Sequence, residues 1–344
     1  MADRTAHPNL YAMQSFEHTP SEARDLLSKR IRDLGLRVEG TPLERYVAQL
    51  HAELLQQGLQ AFRPGVYLSD EWACPDREPV IGVPFYLADP RLQEIERSRN
   101  DLEDEREILM YLRHEAGHAF NYAYCLYDSK EWLELFGPFD RPYDDRYTPV
   151  PFSRRFVRHI AGWYAQKHPD EDFAETFAVW LTPGSDWARR YKGWPALKKL
   201  QYVDRLAKEL SSTPPRKPPE RAFRELPVEE MSSTLEQFYK ENDAEEAAEL
   251  VPDGELEDIF VRKGDELASA FLQRHRKAIT DKVTYWTGVR RPLVKKLVET
   301  IGKRARELEL FVDKKKCDAT LIEVVVFTTT LAMNYLTRGR FEER

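Results

Sequence analysis

Residues 114–118 read HEAGH, and this stretch lies among apolar residues that recur at helical spacing. Positions four apart share one face of a helix, so the imidazoles of His114 and His118 can reach a single metal ion. Glu115 points about a quarter-turn away, where its carboxylate can hold a metal-bound water instead of the metal. The motif therefore predicts zinc-assisted hydrolysis of a peptide or a similar amide.

The helix that carries this motif is predicted to run from about Asp104 to Tyr124. Acidic residues crowd its start, where they suit the positive end of the helix dipole. An apolar stripe would bury one face in the core, and it consists of Ile108, Leu112, Ala116 and Ala119. The alternative is a helix whose two histidines are ordinary, partly buried residues.

A catalytic zinc ion normally has three protein ligands, so the motif needs a third. Residues 168–181, HPDEDFAETFAVWL, predict a second helix that begins near Pro169. Glu171 and Glu175 are four apart in it and share one face, so both can point at the same site. One would bind zinc while the other accepts a hydrogen bond from a liganding imidazole. Spacing alone does not decide which glutamate has which role.

The stretch LRHEAGHAF, followed downstream by EDFAETFAVWL, resembles the gluzincin peptidases, in which HExxH is completed by a glutamate on a later helix. Over roughly Ser21 to Leu210 the chain resembles, more specifically, a bacterial family of zinc-binding metallo-peptidases. The resemblance implies a zincin-like domain with an active-site helix, a glutamate-bearing helix and a small sheet. The edge strand of that sheet is expected to bind extended substrate.

Lethal-factor-like gluzincins carry a similar E-x-F-A-E-x-F pattern. Carried over position by position, the resemblance implies that Glu171 is the zinc ligand and that Glu175 supports the site. The same group places a tyrosine before the liganding glutamate, and Tyr164 precedes Glu171 by seven residues. Tyr164 is therefore the candidate for stabilising the oxyanion of the reaction. The alternative is that Tyr164 only packs beside Trp163.

The expected activity is that of a zinc metallopeptidase, with Zn²⁺ held by His114, His118 and Glu171. Glu115 would act as the general base, taking a proton from the zinc-bound water and returning it to the leaving amine. The expected substrate is a polypeptide, and we expect endopeptidase rather than exopeptidase cleavage.

Composition sets the class of protein. With 344 residues the chain is long enough for two domains, and its 42% hydrophobic and 32% charged residues are typical of a soluble globular protein. The net charge of −7 argues against general binding to nucleic acid. We expect no membrane partner, because the apolar run Leu321–Tyr335 is short and contains Glu323. The start MADRTAHPNLYAM does not resemble a signal peptide. The three cysteines are scattered and suggest no disulfide framework. A cytoplasmic location is therefore expected.

The fold class predicted for the whole chain is α+β and predominantly helical. Helix starts are predicted at Thr19–Glu22 and Thr41–Glu44, each with a threonine, a proline and a glutamate at capping positions. Between Gly65 and Leu87, the segments GVYL and VIGVPFYL predict two short strands. Pro84 in the second segment suggests an edge strand. The predicted divisions are an N-terminal tail (1–18), the zincin-like metallopeptidase domain (19–210), a Pro-rich linker (211–227) and a helical C-terminal domain (228–344).

The basic stretch from Arg274 to Arg306 leaves a second class of function open. A solvated helix face is the simpler interpretation, and a surface for nucleic acid or an acidic partner is the other. In the alternative function the chain is a zinc-containing regulatory protein. Its C-terminal domain would bind a protein or nucleic-acid partner, with selective or no proteolysis.

Overall fold

The computed structural model describes residues 25–99, 102–143, 147–242 and 253–338. The predicted tail and the helix start at Thr19–Glu22 lie outside these residues. Helices dominate the described ranges, and two short two-stranded sheets complete the fold, so the predicted α+β class is confirmed. In chain order the elements are α1 (Pro42–Gln56), β1 (Gly65–Ser69), β2 (Val80–Pro84), α2 (Pro90–Arg99), α3 (Glu105–Tyr124), α4 (Lys130–Phe136), α5 (Pro169–Leu181), α6 (Trp187–Arg190), α7 (Leu197–Glu209), α8 (Leu235–Asn242), α9 (Asp253–Ile259), β3 (Glu266–Leu267), α10 (Ala268–Thr287), α11 (Arg291–Glu307), β4 (Phe311–Val312) and α12 (Cys317–Arg338).

Helix α3 carries the HEAGH motif and begins at a complete capping box. The Asp104 carboxylate accepts a hydrogen bond from the backbone N–H of Glu107, and the Glu107 carboxylate accepts one from the N–H of Asp104, both at 2.9 Å. The helix ends at Tyr124, because Cys125 adopts the left-handed conformation with φ 53°. The predicted helix from about Asp104 to Tyr124 is confirmed.

Helix α5 carries the two glutamates and begins at Pro169, as the sequence predicts. The imidazole of His168 caps it by accepting a hydrogen bond from the N–H of Asp170 at 3.2 Å. The helix is buried along its whole length and crosses α3 at Gly117. A Cβ atom at Gly117 would lie 2.7 Å from Ala174 Cα and 2.9 Å from Ala174 O. Only glycine therefore lets the two site-bearing helices approach this closely.

Gly117→Ala is expected to lower the free energy of unfolding by about 1–3 kcal/mol, because the added methyl group must push α3 and α5 apart. The matched control is Gly302→Ala in α11, where a Cβ atom would meet Leu272 at an ordinary 3.8 Å. The control should be neutral or slightly stabilising, since alanine favours helix. Chemical denaturation measures both variants. Wild-type stability for Gly117→Ala would contradict the close approach of the helices.

The first sheet pairs β1 with β2 in parallel, from Gly65 opposite Val80 to Ser69 opposite Pro84. All five residues of β2 are buried. On its other side, Gly82 exchanges two backbone hydrogen bonds with Ala73, which runs antiparallel to β2. The second segment is thus one of two strands in its sheet, and its free side is covered at Gly82 by this single bridge.

Apolar side chains form two separate clusters in the described ranges. The first extends from Leu26 to Tyr239 and includes apolar side chains of α3 and α5. The second extends from Leu256 to Ala332. Residues 228–239 pack in the first cluster, although the sequence predicts that they belong to the C-terminal domain. The division into domains stays a prediction.

The predicted linker, residues 211–227, lies against the first cluster. The N–H of Lys217 donates to Ala123 O at 3.0 Å, and the Tyr124 hydroxyl donates to Thr213 O at 2.8 Å. Farther on, the Tyr67 hydroxyl donates to Glu225 O at 3.0 Å. These contacts hold the proline-rich segment on the surface of the domain that carries α3.

The chain from Lys314 to Arg338, which includes α12, is long and apolar enough to cross a membrane by length and composition alone. Core helices of soluble proteins meet the same criteria. In this structure α12 contributes Val324 and Leu331 to the second cluster and leaves Ile322 and Val326 exposed. The helix is longer than the apolar run considered in the sequence, and the absence of a membrane partner stays a prediction.

Candidate metal centre

Three side chains converge where α3 crosses α5. His114 Nε2 and His118 Nε2 lie 3.1 Å apart, and Glu171 Oε2 lies 3.0 Å from the first and 3.2 Å from the second. All three side chains are buried. Ligand atoms around a tetrahedral zinc ion, at about 2.1 Å from it, are separated by about 3.4 Å. The triangle thus fits a zinc ion after a small expansion, and its donors are those that zinc prefers.

Glu175 supports His114 from the side opposite the triangle. Its Oε1 lies 3.1 Å from His114 Nδ1, so the Nδ1–H can donate to it while Nε2 faces Glu171. Its Oε2 accepts hydrogen bonds from the backbone N–H of His159 at 3.1 Å and of Ile160 at 2.9 Å. These bonds hold the Glu175 carboxylate away from the centre of the triangle.

Asp170 supports His118 in the same way, and the sequence interpretation missed it. Its Oδ2 lies 2.8 Å from His118 Nδ1, and its Oδ1 accepts a hydrogen bond from Asn121 Nδ2 at 2.7 Å. The Tyr122 hydroxyl also donates to it. The sequence did contain a signal for such a partner. His118, Asn121 and Tyr122 share one face of α3, so one acidic side chain can bond to all three. Each imidazole therefore has its own carboxylate partner on α5.

The hydrogen bonds between the carboxylates and the imidazoles shift the pKa values of both kinds of group. Burial alone would raise the pKa of Glu171, but the charge of His118 and hydrogen bonds from both imidazoles lower it well below its usual range. Burial likewise opposes protonation of His114, yet hydrogen bonds with Glu171 and Glu175 raise its pKa to about 9. A metal ion bound at Nε2 replaces the proton there, so zinc binding is expected to release protons.

Glu115 is buried beside the triangle. Burial raises its pKa, and the positive charges of His114 and His118 partly offset this effect. A carboxylate with a raised pKa next to a hydrolytic metal centre is suited to accept a proton near neutral pH.

Tyr164, the candidate that the resemblance implies, also lies at the site. It belongs to the 3₁₀ turn Tyr164–Gln166 that precedes α5, so helical spacing does not align it with Glu171. Its ring instead approaches the His114 ring edge-on, with 5.6 Å between centroids. Burial, together with the charges of Glu171 and Glu115, raises its pKa. The hydroxyl thus stays protonated and can donate a hydrogen bond.

Tyr143 is a second tyrosine at the site that the sequence interpretation did not single out. Its hydroxyl donates to Glu171 Oε1 at 3.2 Å, and its ring stacks on the ring of His168 at 4.0 Å. Burial and the charge of Glu171 raise its pKa, so it acts as a donor to this carboxylate. No spacing rule could have found it, since it lies in the loop between α4 and α5.

His159 contacts the site through its backbone N–H, which donates to Glu175, and not through its ring. The ring Nε2 lies 2.9 Å from Met110 O. Burial lowers the pKa of this histidine. The imidazole therefore packs against α3 and does not face the triangle.

Residues 77–186 match the sequence model of a family described as "Putative zinc-binding metallo-peptidase". The matched segment covers about a third of the chain and contains the whole triangle as well as Glu115 and Tyr164. No curated protein and no solved structure matches the chain. The family match and the His-His-Glu group agree on zinc as the cofactor.

Proposed function

We propose that this protein is a zinc-dependent metallopeptidase of the gluzincin type, which cleaves internal peptide bonds in a polypeptide substrate. The observation that carries the proposal is the triangle of His114, His118 and Glu171, with a separate carboxylate behind each imidazole. Three ligand atoms on one side leave a coordination position open, as a catalytic zinc site requires. The match to a zinc-binding metallo-peptidase family supports the same chemistry.

In the proposed mechanism, zinc at this site would lower the pKa of a bound water toward about 7 and polarise the scissile carbonyl. Glu115 accepts the proton of the attacking water and delivers it to the leaving amine. The Tyr164 hydroxyl donates a hydrogen bond to the oxyanion of the tetrahedral intermediate. Its position beside His114 supports this role, and packing remains the alternative role for the ring.

Profiling of the purified protein against a peptide library tests this function. We expect cleavage at internal bonds that stops when zinc is removed by a chelator and returns when zinc is restored. Cleavage that continues without zinc would contradict the proposal. So would the absence of any cleavage by the zinc-loaded protein.

The regulatory alternative gains little support from the basic stretch. Five of its charged side chains form ion pairs within the chain: Arg274 with Glu266, Arg276 with Glu299, Lys277 with Glu107, Arg291 with Asp281, and Arg304 with Asp253. Side chains engaged in this way are less available to phosphate groups. The pairs favour a structural role for this surface, and a protein partner for the C-terminal part stays a prediction.

We also propose a cytoplasmic location. All three cysteines are free thiols in the structure, which suits a reducing compartment. Cell fractionation tests this proposal, and recovery of the protein outside the cytoplasm would contradict it.

A further inference from the structure

The two oxygens of Glu171 face different partners. Oε2 lies within 3.2 Å of both imidazole Nε2 atoms and forms the third corner of the triangle. Oε1 accepts the hydrogen bond of the Tyr143 hydroxyl at 3.2 Å. We propose that Tyr143 is a positioning residue that holds Glu171 so that a single oxygen is offered to zinc. The inference rests on the proposed role of Glu171 as a ligand.

The tyrosine is itself held in place from two sides. Its ring lies nearly parallel to that of His168, at 16° and 4.0 Å, and His168 caps α5 three residues before Glu171. Lys167 Nζ lies 5.3 Å from the same ring, within range of a cation–π interaction. Tyr143 is thus fixed to the start of the helix that carries its hydrogen-bond partner.

Exposure indicates on which side of the site Tyr143 lies. The tyrosine is 51% exposed, whereas Glu171 beneath it is 5% exposed. The ring therefore covers the outer side of the carboxylate and separates Oε1 from solvent. Tyr164 packs edge-on against the His114 ring and also interacts with the Glu171 side chain, whereas Tyr143 bonds Oε1 and stacks on His168.

The hydrogen bond from Tyr143 to Oε1 affects how many protein atoms coordinate the metal ion. A carboxylate with two free oxygens can bind a metal ion through both, whereas catalysis requires three protein ligand atoms and one open position. A hydroxyl bonded to Oε1 disfavours rotation of the carboxylate into the two-oxygen arrangement. Tyr143 would in this way keep the fourth position open for water.

Tyr143→Phe tests the inference, because it removes the hydroxyl and keeps the stacked ring. Zinc affinity, measured by competition with a chromogenic chelator, should fall about tenfold, the low end of the range for groups that orient metal ligands. Substitution of zinc by Co²⁺ gives a second measurement. We expect weaker visible d–d absorption in the variant, since a five-coordinate cobalt site absorbs less than a four-coordinate one.

Tyr147→Phe is the matched control in the same loop. Its hydroxyl donates to Gly162 O at 2.8 Å and has no bond to Glu171, so zinc affinity and the cobalt spectrum should match the wild type. Equal zinc affinity for Tyr143→Phe and the wild type would overturn the inference. Equal losses in both variants would also overturn it, because they would indicate a general effect of the loop. These measurements do not depend on turnover, so failure of the peptidase proposal is seen separately in the peptide-library assay.

Discussion

Glu115→Gln should retain zinc and lower kcat/KM by about 10²–10⁴-fold, the usual contribution of a general base. Glutamine has nearly the same shape as glutamate but cannot accept a proton from the attacking water. Glu115 suits this role because it is buried beside His114 and His118, and burial raises its pKa while the charges of these histidines only partly offset that rise. Zinc content should not change, since Glu115 lies outside the triangle of ligand atoms.

A matched control for this change is Glu105→Gln, at the first residue of α3. Its side chain is 60% exposed and lies 3.7 Å from Arg45, far along the helix from the site. The control should have wild-type activity and zinc content. Steady-state kinetics on a peptide that the wild type cleaves measure all three proteins. Full activity of Glu115→Gln would show that another group is the base.

The second large effect concerns the two glutamates of α5. Glu171→Gln should weaken zinc binding by more than about 100-fold, and Glu175→Gln by about 10–100-fold, the range for groups that orient a ligand. The difference follows from geometry: Glu171 Oε2 faces both imidazole Nε2 atoms, whereas the Glu175 carboxylate is bonded to His114 Nδ1 and to two backbone N–H groups.

Chelator competition measures the zinc affinity of both variants, and thermal unfolding shows whether each is folded. Glu175→Gln is the more sensitive to misfolding, because Glu175 is fully buried. A folded Glu175→Gln that loses zinc, beside a Glu171→Gln that retains it, would reverse the proposed roles of the two glutamates.

The parts of the fold that the sequence predicted correctly depend on residues close together in the chain. The capping residues Asp104 and Glu107 set the start of α3, and Pro169 sets the start of α5. Helical periodicity then determines which faces are buried, so His114 and His118 could be grouped with the pair Glu171 and Glu175. The choice of Glu171 as the ligand came from the resemblance to gluzincins. Gly117, the fourth residue of the motif, gains its meaning only where α3 meets α5, since its role is to admit the backbone at Ala174.

Contacts between distant segments account for what was missed. Asp170 has the ordinary sequence context of an acid in the first turn of a helix, and only the crossing of α3 over α5 places it against His118. Tyr143 reaches Glu171 from a loop without regular periodicity. The cover over β2 depends on Ala73, whose pairing with Gly82 follows from the path of the connecting chain rather than from its composition.

The central claim is that zinc is bound by two imidazoles and the carboxylate of Glu171. X-ray absorption spectroscopy at the zinc edge, on the loaded wild type and on Glu171→Gln, tests it most directly. We predict one zinc per chain with only nitrogen and oxygen neighbours, at about 2.0–2.2 Å, including two imidazoles. The Glu171→Gln protein should hold little zinc or show an altered shell. A sulfur neighbour at about 2.3 Å, or a spectrum unchanged in Glu171→Gln, would contradict this account.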